Sequence, residues 1–213
     1  MIKIINYSAI LILFISVNLF GNTDFFNAVH RGDINAVSKY IKNGIDINIQ
    51  DNRKRTALMI AVYKNDINMV KLLVENNADV NIQDENLNSP FLYAGARGLL
   101  DILKLLYKKA DTINVLNIYG GNALIPACEK GHLETVRFLL ENTDINVNHI
   151  NKLSWTALLE VVILGNDSKN YVEIVKLLLK HGADKNIKDN NGNDALYYAK
   201  TKGFKNIEKL LTD

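Results

Sequence analysis

The sequence predicts an all-helical fold, a solenoid of stacked helix-turn-helix units with finger loops between them. Three observations carry this. One skeleton recurs along the chain: "TALM" at Thr56, "SPFL" at Ser89, "NALI" at Asn122, "TALL" at Thr156 and "DALY" at Asp194. The spacing of these starts is nearly constant and lengthens only from Thr156 to Asp194; a period of this size marks units that bury their apolar faces by stacking. Within each unit a short run rich in small residues precedes an amphipathic one, such as "VKLLVE" or "IVKLLLK".

The elements follow in order. Residues 1–21 read as a signal peptide: Lys3, the apolar run from Ala9 to Val17, then the small Gly21. That run is too short to span a bilayer, so no membrane span is expected once it is removed. Residues 22–213 then divide into six units, at about 23–55, 56–88, 89–121, 122–155, 156–193 and 194–213. The first opens at Thr23, one period before Thr56.

Each unit starts at a Thr, Ser, Asn or Asp whose side-chain oxygen can accept from free N–H groups of a helix. Pro90 falls at the first helical position, where its missing N–H costs nothing. Ala61, Ala94 and Ala127 let neighbouring helices approach. Turns follow at "RGD" 31–33, "KND" 64–66, "RGL" 97–99, "KGH" 130–132 and "KGF" 202–204. Gly44, Asn77 and Gly182 sit where the second helix ends in a left-handed residue. Ala110 and Thr143 replace that residue in two units, at roughly 1 kcal/mol each if the backbone stays left-handed. Pro126, inside a first helix, is expected to remove one hydrogen bond. The middle units are therefore expected to be softer than the ends.

These motifs resemble the ankyrin repeat. "GADKNIKDNNGNDAL", "ADVNIQDENLNSPF", "ETVRFLLEN" and "EIVKLLLKHGAD" carry the likeness, which extends over everything past the signal peptide. The resemblance implies a right-handed stack of helix pairs with fingers on one side. It also implies a partner protein on the concave face, formed by the fingers and the exposed side of the first helices. His132 stands where the family has a turn histidine bonded to backbone. "NVNHINKLSWTALLEVVILGND" is similar to a subgroup of small, often exported bacterial members with a Trp before the cap and an enlarged loop. For that subgroup the resemblance implies support of a heme enzyme such as catalase in oxidative stress. A secreted effector acting on a host protein is the other alternative.

Composition narrows the function classes. The net charge of +2 gives no basis for nucleic-acid binding. Losing the signal peptide takes only Lys3 from the 25 bases and nothing from the 23 acids, so the mature chain stays close to neutral. The single cysteine, Cys128, cannot form an intrachain disulfide and is expected to be buried in packing. An exported chain of this kind suits the periplasm or secretion, as a monomer. The four histidines, His30, His132, His149 and His181, lie far apart along the chain, without the spacing of a metal site. No phosphate loop and no nucleophile turn is present. No catalytic residue, metal or cofactor is therefore expected, and the chain is not read as an enzyme.

What the sequence displays is a candidate binding face. The residue eight after each cap is Arg31, Lys64, Arg97, Lys130, Leu164 and Lys202. In register these form a basic ladder able to steer an acidic partner. The ladder breaks at Leu164, in the unit that also carries the only Trp, Trp155, and Ile163. Trp155, Ile163 and Leu164 are expected on one face, with Ile118 and Tyr119 in the preceding finger and Leu153 in the same one. The predicted partner site is Trp155, Ile163, Leu164 and Tyr119, flanked by Lys64, Arg97 and Lys130. The longer unit carries the insertion "GNDSKNY", 165–171, between its two helices.

Overall fold

A computed structural model describes residues 22–213. The expected signal peptide, 1–21, lies outside the described residues. Among the described residues there are helices and turns, no strand, and no helix long and apolar enough to cross a membrane. The chain divides into two compact units, one running through Ala78 and the other Asp79–Asp213.

The first unit holds two helix pairs: α1 (22–31) with α2 (Ile34–Lys42), and α3 (Ala57–Tyr63) with α4 (Ile67–Glu75). Helix α4 packs on both α2 and α3. Phe25, Val29 and Val37 are buried, as are Leu58, Met59, Ile60, Met69 and Leu73. Thr56 caps α3 by accepting from Met59 N–H at 3.1 Å. Asp33 and Asp66 do the same for the second helices, each at 3.0 Å. Thr23 is not a cap but lies within α1.

The second unit holds four pairs: α5 (Pro90–Ala96) and α6 (Leu100–Leu106), α7 (Leu124–Glu129) and α8 (Leu133–Asn142), α9 (Ala157–Leu164) and α10 (Lys169–Lys180), α11 (Ala195–Lys202) and α12 (Lys205–Thr212). The first helices form one row, α5 on α7 on α9 on α11, and the second helices the other, α6 on α8 on α10 on α12. Close approach within the first row needs small residues. A Cβ at Gly95 would lie 2.9 Å from that of Ala123, so alanine there would push α5 and α7 apart. Helix α9 is buried from Ala157 to Val162, because α7, α11 and α10 all pack on it. That explains its sequence, which apart from Glu160 is apolar all round instead of along one stripe.

Three expectations are corrected. Ala110 and Thr143 are extended, at φ −81° and −131°, and not left-handed. At the first, α6 tightens into a 3-10 turn, Tyr107–Lys109. At the second, the Thr143 hydroxyl donates to Leu139 O at 2.6 Å. The strain attributed to the missing glycines is therefore absent. Pro126 is the third residue of α7, where its N–H would have no partner within the helix anyway. Asn122 Oδ1 instead accepts from Leu124 and Ile125, at 3.1 and 3.4 Å.

Candidate functional site

The fingers are built on a short turn that recurs at 51–55, 84–88, 117–121, 151–155 and 189–193. Its first residue accepts, through one side-chain oxygen, from the N–H groups two and four residues on. Asp51 bonds Arg53 and Arg55 this way, Asn117 bonds Tyr119 and Gly121, and Asn151 bonds Leu153 and Trp155, all at 2.8–3.0 Å. The fourth residue takes a positive φ, as at Ser154 (61°). Each finger tip is thus held by its own side-chain oxygen, without strand pairing.

What the leading residue does with its other atom differs. Asp51 pairs with Arg55, the Nη2–Oδ2 distance being 2.6 Å. Its carboxyl sits below the usual range: burial pushes it up, and the Arg55 and backbone hydrogen bonds outweigh that. Asp189 accepts from the Tyr198 hydroxyl. Asn151 is 6% exposed and donates through Nδ2 to Glu160 Oε1 at 3.0 Å. Tyr198 and Glu160 occupy the same place, four residues after their caps Asp194 and Thr156. The fifth repeat therefore has an amide facing an acid where the sixth has an acid facing a phenol.

Around this pair lies an open notch of about 300 Å³. Its walls are Tyr119, Leu153, Trp155, Leu164, Ile125 and Pro126, and its polar lining includes Asn151, Glu129 and Glu160. Tyr119 is 62% exposed, Leu164 50% and Leu153 46%, so neither finger nor insertion covers them. Trp155 is half-buried. Glu160 is only 5% exposed. Burial first, and then the Glu129 charge, raise its pKa to about 7, against the Asn151 hydrogen bond. Behind it Cys128 is fully buried, its thiol pushed up by burial and then by Glu160.

The structure thus brings Trp155, Leu164 and Tyr119 to one cavity, together with Leu153. Ile163 does not line it; it is half-buried and its carbonyl accepts from Lys202 Nζ. Arg97 and Lys130 are at the C-caps of α5 and α7, and both are exposed; cations there also complement the helix dipole. Lys64 is the exposed C-cap of α3, in the first unit. The charged groups lining the notch are acids, a polarity opposite to the exposed ladder. Glu160 and Asn151 escaped the sequence reading. Their signal was an acid inside the otherwise apolar "ALLEVVIL", and Asn in place of the Asp that leads three of the fingers.

The notch walls are fixed by hydrogen bonds between fingers. Lys152 N–H donates to Tyr119 O and its Nζ to Ile118 O, both at 2.9 Å. His149 Nε2 meets Gly120 O at 2.6 Å, and Ser154 donates to Asn190 Oδ1 at 2.7 Å. The insertion adds ties on the helix side. Asn170 and the Tyr171 hydroxyl donate to the carbonyls of Gly131 and Glu129, at 2.6 and 2.9 Å. Asp167 accepts from Asn206 and Ile207 N–H at 3.0 and 3.1 Å. Lys169, Asn170 and Tyr171 are themselves in the first turn of α10. Gly165 lies so close to Tyr171 that a Cβ would be 2.5 Å from its ring. Among the described residues, no group of three or more His, Cys, Asp or Glu is placed to hold a metal ion.

Paired helices in two rows, hydrogen-bonded fingers and an open notch beside them define a helical-repeat scaffold. The chain belongs to the ankyrin repeat family: residues 25–117, 91–189 and 146–213 match its ankyrin repeats model in three copies. Among solved structures it is similar to an ankyrin repeat domain (ABAYE2397) from Acinetobacter baumannii, at 44% identity and a TM-score of 0.86. That match covers 90% of this chain and 97% of the other. It is also similar to the ankyrin repeat protein EF0377, at 41% identity and a TM-score of 0.85, covering 89% and 96%. The putative ankyrin repeat protein YahD of Escherichia coli is 42% identical over 80 residues, 38% of this chain and 40% of that one. The mitochondrial disaggregase of Bos taurus is 38% identical over 79 residues, 37% of this chain and 10% of that protein. The chain therefore spans under half the length of both curated relatives. Family membership implies a protein-binding scaffold.

Proposed function

We propose that the protein acts in the periplasm as an interaction scaffold, seating one partner protein on the finger side of its second unit, around Trp155. The observation that carries this is the exposed apolar rim of Tyr119, Leu153 and Leu164 around a concavity with Trp155 in its wall. Large apolar side chains grouped at one notch, with aromatic members, are the composition of a binding centre. The contribution is shape and burial, with no covalent step. Arg97 and Lys130 lie on the same unit and add long-range attraction for an acidic partner surface, more to association rate than to affinity. The periplasmic assignment rests on the charged start and apolar run of residues 1–21.

The test is affinity purification from the periplasmic fraction, wild type beside Trp155→Ala. The variant is expected to lose about 2 kcal/mol or more of partner affinity, with an unchanged melting curve. Partner retention at full affinity by the variant would refute the proposal. Recovery of the chain only from the cytosol would refute the location.

A further inference from the structure

Resting on that reading, we infer that the notch receives a lysine side chain of the partner protein, its ammonium seated on Glu160. Four features of the site converge on this ligand. The first is Glu160 itself, a carboxylate only 5% exposed yet in the lining of the cavity. Its Oε1 accepts from Asn151 Nδ2, and its other oxygen is not sealed away as a buried unpartnered atom, so it can be reached from the notch. A carboxylate so little exposed is costly to charge unless a donor or a cation arrives.

The second is Glu129, on the rim of the same cavity. Two carboxylates at one site repel, and a cation relieves both charges at once. Burial and Glu129 together hold the Glu160 proton to about pH 7, so the pair is poised to give it up to solvent when a positive charge arrives. From the packed elements, Glu129 on α7 is the titrating group that acts on it, and Glu160 in turn acts on Cys128 of the same helix. Third, the walls suit a cation on an alkyl stem: Trp155 and Tyr119 offer aromatic faces, and Leu153, Leu164 and Ile125 offer apolar surface for methylenes. At about 300 Å³ the notch is at the bottom of the range for small-molecule pockets, roughly 300–1,000 Å³, and fits one side chain.

The fourth feature selects lysine over arginine. Asn151 already occupies one acceptor position on Oε1, leaving Oε2 as the one unshared oxygen of Glu160. A compact ammonium satisfies one oxygen, whereas guanidinium needs two to use its fork. The partner residue is thus a protruding lysine.

Trp155 is the only tryptophan, so its indole N–H gives one unambiguous NMR signal. The experiment titrates the chain from residue 22 with Nα-acetyl-lysine N-methylamide, its side-chain ammonium free, and with the norleucine and arginine counterparts. The lysine probe is expected to move the indole signal saturably and at least tenfold more tightly than norleucine. It is also expected to lower the titration midpoint of the Glu160 carboxyl carbon from about 7. Glu160→Gln, nearly isosteric and still able to accept from Asn151, should reduce lysine affinity about tenfold. Equal binding of lysine and norleucine, tighter binding of arginine, no movement of the indole signal, or an unaffected Glu160→Gln would each overturn the inference. The two readings separate in the purification: Trp155→Ala weak but Glu160→Gln fully active leaves the scaffold standing and removes the lysine. Trp155→Ala fully active removes both.

Discussion

Glu160 is a residue that the fold does not need. Every other residue of α9 from Ala157 to Val162 is buried and apolar, and an acid among them costs free energy. The direction with pH follows from its raised pKa. The folded state binds the Glu160 proton more tightly than the unfolded chain does, so stability falls as pH rises from 4.5 through about 7. The contribution is fully present below that window and lost above it. In Glu160→Gln that loss is removed. At about pH 8 the variant is expected to be more stable than wild type by roughly 1–2 kcal/mol, after allowing for screening by water in the open notch. At about pH 4 the two should unfold together. Urea midpoints at the two pH values measure it, and a wild type equally stable at both would contradict the assignment. This is the part of the site that periodicity hid. Trp155 and Leu164 stood out because they break a repeated pattern of surface residues. Glu160 falls on a position that varies freely among the units, being Ile60, Tyr93, Pro126 and Tyr198 elsewhere, and its significance comes only from Asn151 and the notch around it.

At the scale of the element, the insertion is a helix cap displaced in sequence. Helices α2 and α4 are capped by Asp33 and Asp66 immediately before them. Helix α12 begins after Phe204, with no side-chain cap of its own. Asp167 supplies the bonds instead, reaching the second and third residues of α12 from the loop between α9 and α10. The extra residues thus exchange a local cap for a tie between neighbouring repeats. Asp167→Ala should cost about 1 kcal/mol and speed hydrogen exchange at the start of α12, while Trp155 fluorescence stays as in wild type. Exchange spread evenly over the second unit would contradict a local role. The loop's length was legible in the step from Thr156 to Asp194. Its purpose was not, because the partners of Asp167 lie in the next repeat, far along the chain. The strain expected at Ala110 and Thr143 failed for a related reason: the sequence shows a missing glycine, while the backbone chose an extended exit that needs none.

For the molecule as a whole, the period made the architecture legible, because each unit repeats the same caps, turns and buried rows. The consequence for stability is that neighbours depend on one another. Ala195, Ala199, Ile207 and Leu211 of the last pair are buried against α9 and α10. A chain ending at residue 193 exposes the facing side of that pair, and is expected to aggregate by light scattering where the full chain stays dispersed. The finger ladder matters in a different way. Tyr119 and Trp155 sit on successive fingers joined backbone to backbone through Lys152 and Tyr119, so the two aromatic walls hold their spacing before anything arrives. Association then freezes little additional motion. Its kinetics should be a single concentration-dependent phase, with no slow rearrangement following first encounter.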